Sequence, residues 1–245
     1  MSLKFGCFVT GTDTNVGKTL IASALLHRCV AQGWRAVGMK PVAAGCTQTA
    51  DGRWCNEDVE ALCAAASVNM DRVNMADINP YLFREAIAPH LAARHEGVVI
   101  EMSRISASFV RLKAQAEAVV VEGAGGFVVP LNGTPALALA PAPASGFDSA
   151  DLARELGLPL VLTVGMRLGC INHALLTQEA IVARGLTLAG WVANRLDPAM
   201  PCFDENLATL QACLRAPLLG VVPYMAQPDA RQAAEYLELP GAESR

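Results

Sequence analysis

The chain has 245 residues, of which 53% are hydrophobic and 17% are charged, and we expect one α/β domain over residues 1–245. Its formal net charge is −4 and no stretch is dense in Lys or Arg, which argues against nucleic acid and anionic membranes as partners. The eight cysteines form no Cys-x-x-Cys pair, so we expect reduced thiols in a cytoplasmic protein and no zinc site.

The first element is a buried strand that leads into a glycine-containing loop. An apolar run over residues 5–9 predicts the strand, and Gly-Thr-Asp-Thr-Asn-Val-Gly-Lys-Thr follows at residues 11–19, before helical spacing to about residue 31. This is the context of a phosphate-binding loop, in which Lys18 reaches the outer phosphates and Thr19 binds the magnesium ion that bridges them. Five residues, rather than the usual four, separate the two glycines of the motif.

The second predicted strand places a lysine at the edge of the sheet. Residues 35–42 indicate that strand, with Lys40 near the end where ligands gather in open parallel sheets, although a lysine there can also extend its amino group to solvent. After a polar loop over residues 45–54, Asn56 is typical of the N-cap of a helix that reaches about residue 66. Asp58 lies in its first turn, where an acidic residue either serves the helix dipole or ligates a metal.

A second acidic residue closes a later strand. Ser103 is a candidate cap for a helix marked by apolar residues from 105 to 116, and the apolar run 118–121 predicts a strand that ends in Glu122. The glycines that follow permit close approach of backbone to a ligand. We expect Glu122 to be a second magnesium-associated carboxylate, the alternative being an ordinary strand-to-loop turn. Residues 132–147, rich in Ala and Pro, are predicted to form an exposed loop.

The remaining chain alternates strands and helices. We predict a helix over 148–156, a strand over 159–164, a helix that is opened by 165–173 and continues to about 184, a strand over 187–194, a helix over 203–214, a strand over 217–224 and a short final helix. The free N–H groups where residues 165–173 open a helix are suited to a carboxylate or a phosphate. This order predicts a single doubly wound, mostly parallel sheet with helices on both faces.

Five segments together resemble the dethiobiotin synthetase family. They are residues 11–19, Lys-Pro-Val at 40–42, Val-Glu-Gly-Ala-Gly-Gly at 121–126, Leu-Gly-Cys-Ile-Asn-His at 168–173 and Gly-Trp-Val-Ala-Asn at 190–194, in family order and at comparable spacing. The resemblance implies the three-layer sandwich of P-loop NTPases and an ATP- and Mg²⁺-dependent ring closure. In that reaction CO2 and 7,8-diaminononanoate give dethiobiotin, ADP and phosphate, the penultimate step of biotin synthesis, through a carbamate and a carbamoyl-phosphate mixed anhydride.

The resemblance also implies roles for individual residues. Lys40 and Lys18 resemble the catalytic lysines, and Thr19, Asp58 and Glu122 resemble the magnesium ligands. The implied ATP contacts are Asn15, Val16, Gly17, Lys18, Thr19, Leu20, Asp58, Glu122, Gly123, Ala124, Gly125, Asn194, Arg195, Pro223, Tyr224 and Met225, with Asn194 at the adenine. The implied substrate contacts are Thr14, Lys40, Ala44, Gly169, Cys170, Ile171 and Asn172. Because the family donates the last four across a two-fold interface, a homodimer with the active site at the interface follows by analogy.

The chain departs from the family pattern at three places. Ala44 stands where the family often has Ser or Thr, which removes one hydroxyl contact to the diamine or its carbamate. Asn15 stands where several relatives carry Glu, so any acid–base role is lost there. The loop over residues 132–147 is longer than the family leads us to expect.

Other readings of the same motifs stay open. A partitioning or regulatory ATPase would begin its phosphate loop with Lys-Gly-Gly, whereas this chain has Thr-Gly-Thr at residues 10–12. An amidotransferase-type synthetase would need an attached glutaminase domain, for which we expect the chain to be too short. A degenerate relative would bind nucleotide without turnover, yet Lys18, Thr19, Lys40 and Glu122 are all present.

Overall fold

A computed structural model of the protein describes residues 3–133 and 146–241. Most of the exposed loop that the sequence predicts over residues 132–147 therefore lies outside the described residues. Within the described ranges, no helix is both long enough and apolar enough to span a membrane.

The strands of the described residues form one six-stranded sheet and three small two-stranded pairs. In chain order they are β1 (Phe5–Gly11), β2 (Ala36–Met39), β3 (Val42–Ala44), β4 (Thr47–Gln48), β5 (Trp54–Cys55), β6 (Tyr81–Phe83), β7 (Ala118–Glu122), β8 (Pro130–Asn132), β9 (Phe147–Asp148), β10 (Leu160–Met166), β11 (Leu188–Arg195) and β12 (Leu218–Val222). The small pairs are β3 with β6, β4 with β5, and β8 with β9.

Every pairing in the large sheet is parallel, and the strand order is β12-β11-β10-β1-β7-β2. From the central strand β1, the chain first builds β2 and β7 on one side and later β10, β11 and β12 on the other. The strand order therefore reverses at β1, which is the point where open α/β sheets bind their ligands. This topology confirms the doubly wound parallel sheet predicted from the sequence.

Helices cover both faces of the sheet. They are α1 (Lys18–Ala31), α2 (Glu57–Ala65), α3 (Met75–Ile78), α4 (Pro89–His95), α5 (Met102–Gln115), α6 (Ser149–Leu156), α7 (Cys170–Ala183), α8 (Phe203–Cys213) and α9 (Ala230–Ala234). Successive side chains of β1 point to opposite faces: Cys7 and Val9 pack with α1, α2 and α9, whereas Phe8 packs with α5 and α6. Helices α7 and α8 pack on β10 and β11.

The second strand is shorter than the sequence predicts. It ends at Met39, and the backbone of Lys40 turns away to accept a hydrogen bond from the Asn79 side chain at 2.6 Å. Pro41 has no N–H with which to continue the ladder, so the strand stops there. Residues 42–44 pair with β6 instead, and the expected polar loop 45–54 contains most of the short β4–β5 hairpin.

One predicted helix cap was wrong. Ser103 is not a cap, because α5 begins at Met102 and the residue before it, Glu101, is held in extended conformation by a bond from its N–H to the Tyr81 hydroxyl at 2.8 Å. Residues 165–173 open a helix as predicted, since α7 begins at Cys170 within that segment, although β10 runs to Met166. The start of α5 is set by a contact between segments distant in sequence. Asn56, by contrast, caps α2 as predicted.

Replacing Leu62 by Ala should lower the free energy of unfolding by about 2–5 kcal/mol. Leu62 is fully buried on α2 and packs against the bare backbone of Gly38, where an added Cβ would lie 2.8 Å from the Leu62 Cβ. Val110→Ala, on the exposed side of α5, is the control and should change that free energy by less than about 0.5 kcal/mol. Urea unfolding of both variants measures the two changes. Equal losses of unfolding free energy would contradict the assignment of Leu62 to the core.

Candidate active site

The loop between β1 and α1 has the backbone of an anion site. Gly17 precedes α1 with φ +91°, and a Cβ at this position would lie 2.2 Å from the Asn194 side-chain nitrogen. That nitrogen donates to the Val16 carbonyl at 2.9 Å and ties the loop to the end of β11. Asn15 also has a positive φ, of 59°, which asparagine tolerates better than glutamate does. No side chain caps α1, so its first N–H groups are available to an anion.

Lys18 points back over the loop. Its amino group donates to the Asp13 carbonyl at 2.8 Å and is largely buried. Burial, reinforced by the nearby positive charge of Lys40, lowers the pKa of Lys18 to about 8. A phosphate anion in the loop would reverse this effect, because an opposite charge favours the ammonium form.

Thr19 gathers two carboxylates from distant parts of the chain. Its hydroxyl oxygen lies 2.6 Å from Asp58 Oδ1 and 2.9 Å from Glu122 Oε1. A hydroxyl carries one proton, so it can donate to only one of these carboxylates at a time. Three oxygen ligands therefore converge with an excess of negative charge, which is an arrangement that a cation would relieve.

Lys40 supplies a fixed cation at the same place. Its amino group lies 2.6 Å from Glu122 Oε1 and 2.8 Å from Asp58 Oδ2. Burial by itself lowers the pKa of Lys40, but the two carboxylates outweigh it and raise that pKa. Burial raises the pKa of Glu122, an effect that Lys40 opposes. Burial also acts to raise the pKa of Asp58, but Lys40, Thr19 and Lys18 together outweigh it and lower that pKa. We therefore describe Lys40 as a charged ammonium group in the core.

The oxygen cluster fits a magnesium ion. Glu122 is 1% exposed, and its second oxygen, Oε2, is buried without a hydrogen-bond partner among the described residues. A buried carboxylate oxygen left unpaired is costly, and a metal ion would satisfy it. The described part of the chain has no group of three or more His, Cys, Asp or Glu side chains suited to a metal. Magnesium does not need one, since it commonly binds through one or two carboxylates together with substrate phosphates and water.

These side chains line one cavity of about 260 Å³. Its lining is Thr14, Asn15, Gly17, Lys18, Thr19, Lys40, Asp58, Glu122 and Gly125, all of which are in the sets that the sequence predicts. A second cavity of about 530 Å³ shares Thr19 and Asp58 with the first and continues along α1 and α2 to the start of α9. Leu20, another predicted nucleotide contact, lines this second cavity.

The other predicted ATP contacts, including Asn194 at the adenine, lie outside both cavities. Asn194 is buried beneath the loop, Tyr224 is half-exposed, and Met225 packs on the core beside α1. Arg195 turns away, since its guanidinium group donates to the Pro198 carbonyl at 2.9 Å and stacks over the Phe203 ring. Pro223 follows β12, and Gly123 and Ala124 follow β7. Their contacts with a nucleotide stay a prediction.

Of the predicted substrate contacts, Thr14 and Lys40 line the first cavity, whereas Ala44 and residues 169–172 do not. Ala44 ends β3 beside Phe83, and it offers no hydroxyl. Residues 169–172 line neither cavity of their own chain. Gly169 precedes α7 with φ +96°, Cys170 is buried in the core, and Asn172 is exposed. Leu168 is 97% exposed, so this segment presents an apolar side chain to the surroundings.

Three residues near the site were not predicted. Asn79 holds the Lys40 carbonyl, and the Arg167 guanidinium donates to Asp13 Oδ2 at 2.7 Å beside the phosphate loop. A signal for the Asp13–Arg167 pair was available, because each residue follows a strand and parallel strands end at the same edge of the sheet. No pattern in the sequence indicates the role of Asn79.

Comparison with known sequences gives relatives that are about half identical to this chain. A family model described as an AAA domain matches residues 6–232. An ATP-dependent dethiobiotin synthetase of Aromatoleum aromaticum is 55% identical over 236 residues, which cover 96% of this chain and 97% of that protein. An ATP-dependent dethiobiotin synthetase of a Janthinobacterium species is 52% identical, over 97% of this chain and 96% of that protein. These relatives confirm the family to which the sequence motifs point.

Solved structures agree on the fold. The MinC:MinD cell division complex of Aquifex aeolicus matches with a TM-score of 0.53 at 11% identity, over 94% of each chain. The septum site-determining protein MinD of Pyrococcus horikoshii, complexed with Mg-ADP, matches with a TM-score of 0.50 at 14% identity, over 94% of this chain and 86% of that one. At such identities the likeness shows the α/β fold alone.

Replacing Lys40 by Met should lower the free energy of unfolding by about 3–5 kcal/mol, because it leaves the buried Glu122 carboxylate without its counter-ion. The double variant Lys40→Met/Glu122→Gln should recover most of that loss, since an amide needs no counter-ion. Urea unfolding of the two variants and the wild type provides the measurement. A double variant as unstable as the single one would contradict the buried ion pair.

Proposed function

The chain belongs to the family of ATP-dependent dethiobiotin synthetases, and we propose that its cavity carboxylates 7,8-diaminononanoate with CO2 and closes the ring to dethiobiotin at the expense of ATP. The enzyme is accordingly an ATP-dependent cyclo-ligase of biotin synthesis. The observation that carries the proposal is the convergence of Lys18, Thr19, Lys40, Asp58 and Glu122 around one cavity.

The polyphosphate of ATP would lie on the phosphate loop. Free N–H groups at the start of α1 and the Lys18 ammonium group suit its negative charge. Thr19, Asp58 and Glu122 would hold Mg²⁺, which when bound neutralises and bridges the outer phosphates. The nucleoside would extend towards Leu20, Asn194 and the segment after β12.

The reaction needs cations near the transferring phosphoryl group. One substrate amine adds to CO2 and loses a proton, which gives a carbamate. A carbamate oxygen then takes the γ-phosphoryl group of ATP, and ADP leaves. The second amine attacks the carbonyl carbon and expels phosphate, which closes the ureido ring. Lys40 and Lys18 would stabilise the charge that develops in phosphoryl transfer, and the rigid hold of Glu122 and Asp58 on Lys40 supports this role.

A homodimer would complete the substrate site. Residues 169–172 lie outside the cavity of their own chain, and the neighbouring Leu168 is almost fully exposed. Both observations suit a segment that contacts a second copy of the chain and offers the N–H groups of α7 to the substrate carboxylate. Cytoplasmic location is part of the proposal. The buried free thiols of Cys7 and Cys29 are typical of proteins from reducing compartments.

The test is ADP release by the purified protein with Mg-ATP and bicarbonate, with and without 7,8-diaminononanoate. We expect release that depends on the diamine and matches the dethiobiotin found by mass spectrometry. Lys40→Met should lower kcat at least about a hundredfold, since it removes a cation that acts on the transition state. Its affinity for Mg-ADP should change much less, which serves as the folding control. ADP release that ignores the diamine would overturn the proposal in favour of a regulatory ATPase.

The interface makes a separate prediction. Leu168→Asp should convert the dimer to monomers in sedimentation velocity and raise the KM for the diamine, because a carboxylate cannot be buried cheaply in an apolar contact. Val110→Asp, on the exposed side of α5, should leave both measurements unchanged. A Leu168→Asp protein that sediments like the wild type would refute an interface at this position.

A further inference from the structure

We propose that Arg167 is a positioning residue for the nucleotide, acting through Asp13 of the phosphate loop. Arg167 follows β10 and Asp13 follows β1, its direct neighbour in the sheet. The Arg167 guanidinium donates to Asp13 Oδ2 at 2.7 Å. The two residues are far apart in the chain, and the adjacent ends of two parallel strands bring them together.

Asp13 is bonded at three atoms. Its Oδ1 accepts from the Thr14 N–H at 2.7 Å, its backbone carbonyl accepts from the Lys18 amino group at 2.8 Å, and its Oδ2 accepts from Arg167. Asp13 thus helps to fix both the backbone at Thr14 and the position of the Lys18 amino group. Of these three bonds, the one from Arg167 connects the loop to a different part of the sheet, the end of β10.

The Asp13–Arg167 pair also reduces the repulsion between the Asp13 carboxylate and a bound polyphosphate. Asp13 is the only carboxylate among residues 12–17, and it is hydrogen-bonded to Thr14 and Lys18, which line the cavity where the phosphates would bind. A carboxylate there repels a polyphosphate, and the guanidinium group of Arg167 offsets that charge. Without Arg167, the Asp13 carboxylate would keep its bonds to Thr14 and Lys18 but would be uncompensated, and its charge would oppose nucleotide binding.

The pair is too exposed to matter much for folding. The Arg167 side chain is 45% exposed and the Asp13 side chain 48%, and ion pairs at such exposure contribute little to stability. Its effect should therefore appear in nucleotide affinity and not in thermal stability. This inference rests on the nucleotide site of the proposed function, but its test measures binding and does not depend on the formation of dethiobiotin.

The experiment is a double-mutant cycle on the Kd for Mg-ADP, measured by calorimetry on the full chain. Arg167→Gln should raise the Kd about fivefold, and Arg167→Lys should recover most of that loss. Asp13→Asn alone should change the Kd less than about twofold, because its amide oxygen can still accept from Thr14. The double variant Asp13→Asn/Arg167→Gln should bind like Asp13→Asn, since no carboxylate is left to compensate.

Two further readouts separate positioning from a structural role. In the ADP-release assay, Arg167→Gln should raise the KM for ATP while kcat changes less than about twofold, and its melting temperature should match the wild type. Arg154→Gln is the matched control, because it removes an exposed arginine that pairs with Asp151 within α6. Additive effects of the Asp13 and Arg167 changes, or a Kd unchanged in Arg167→Gln, would overturn the inference. If nucleotide binding follows the cycle but no dethiobiotin forms, the proposed function fails and this inference stands.

Discussion

The buried ammonium group of Lys40 is the constraint on which the site depends. A charge in the core is stable only with partners at hydrogen-bond distance, and Lys40 has Glu122 at 2.6 Å and Asp58 at 2.8 Å. These partners come from β7 and α2, so both elements must be fixed against β2. The parallel register that pairs Met39 with Val121 sets Lys40 beside Glu122, and Leu62 anchors α2 on β2. The packing of α2 and β7 against β2 therefore determines whether Lys40 can stay charged in the site.

The anion site next to Lys40 is made mostly of backbone, which explains its glycine. Gly17 must be glycine because its φ is positive and because the Asn194 side chain occupies the space of a Cβ. Such a loop can serve any phosphate ligand. The MinD structures share this fold at 11–14% identity, whereas the synthetase relatives are 52–55% identical over nearly the whole chain. The side chains around the loop, and not the fold, distinguish these proteins.

The departures from the family pattern have different structural settings. Asn15 occupies a left-handed backbone position, where its side chain is tolerated. Ala44 lies at the end of a short strand that pairs with Phe83, and no described contact replaces the hydroxyl that the family often has there. The long Ala- and Pro-rich segment lies mostly outside the described residues. Under the proposed function, substrate recognition would therefore depend more heavily on Lys40 and on the segment 169–172.

The sequence by itself determined the alternation of strands and helices, the parallel sheet and the phosphate loop, which follow from local patterns, since apolar periodicity and glycine spacing act over a few residues. The full set of residues that line the cavity came from the resemblance to a family. Tertiary structure decided where β2 stops, where α5 begins, and which side chains meet. Asp13 and Arg167, 154 positions apart, are joined by the neighbouring ends of β1 and β10. Asn79 holds Lys40 through its backbone, a contact for which the sequence has no local signal. Such contacts depend on register and packing between distant segments, which periodicity cannot encode.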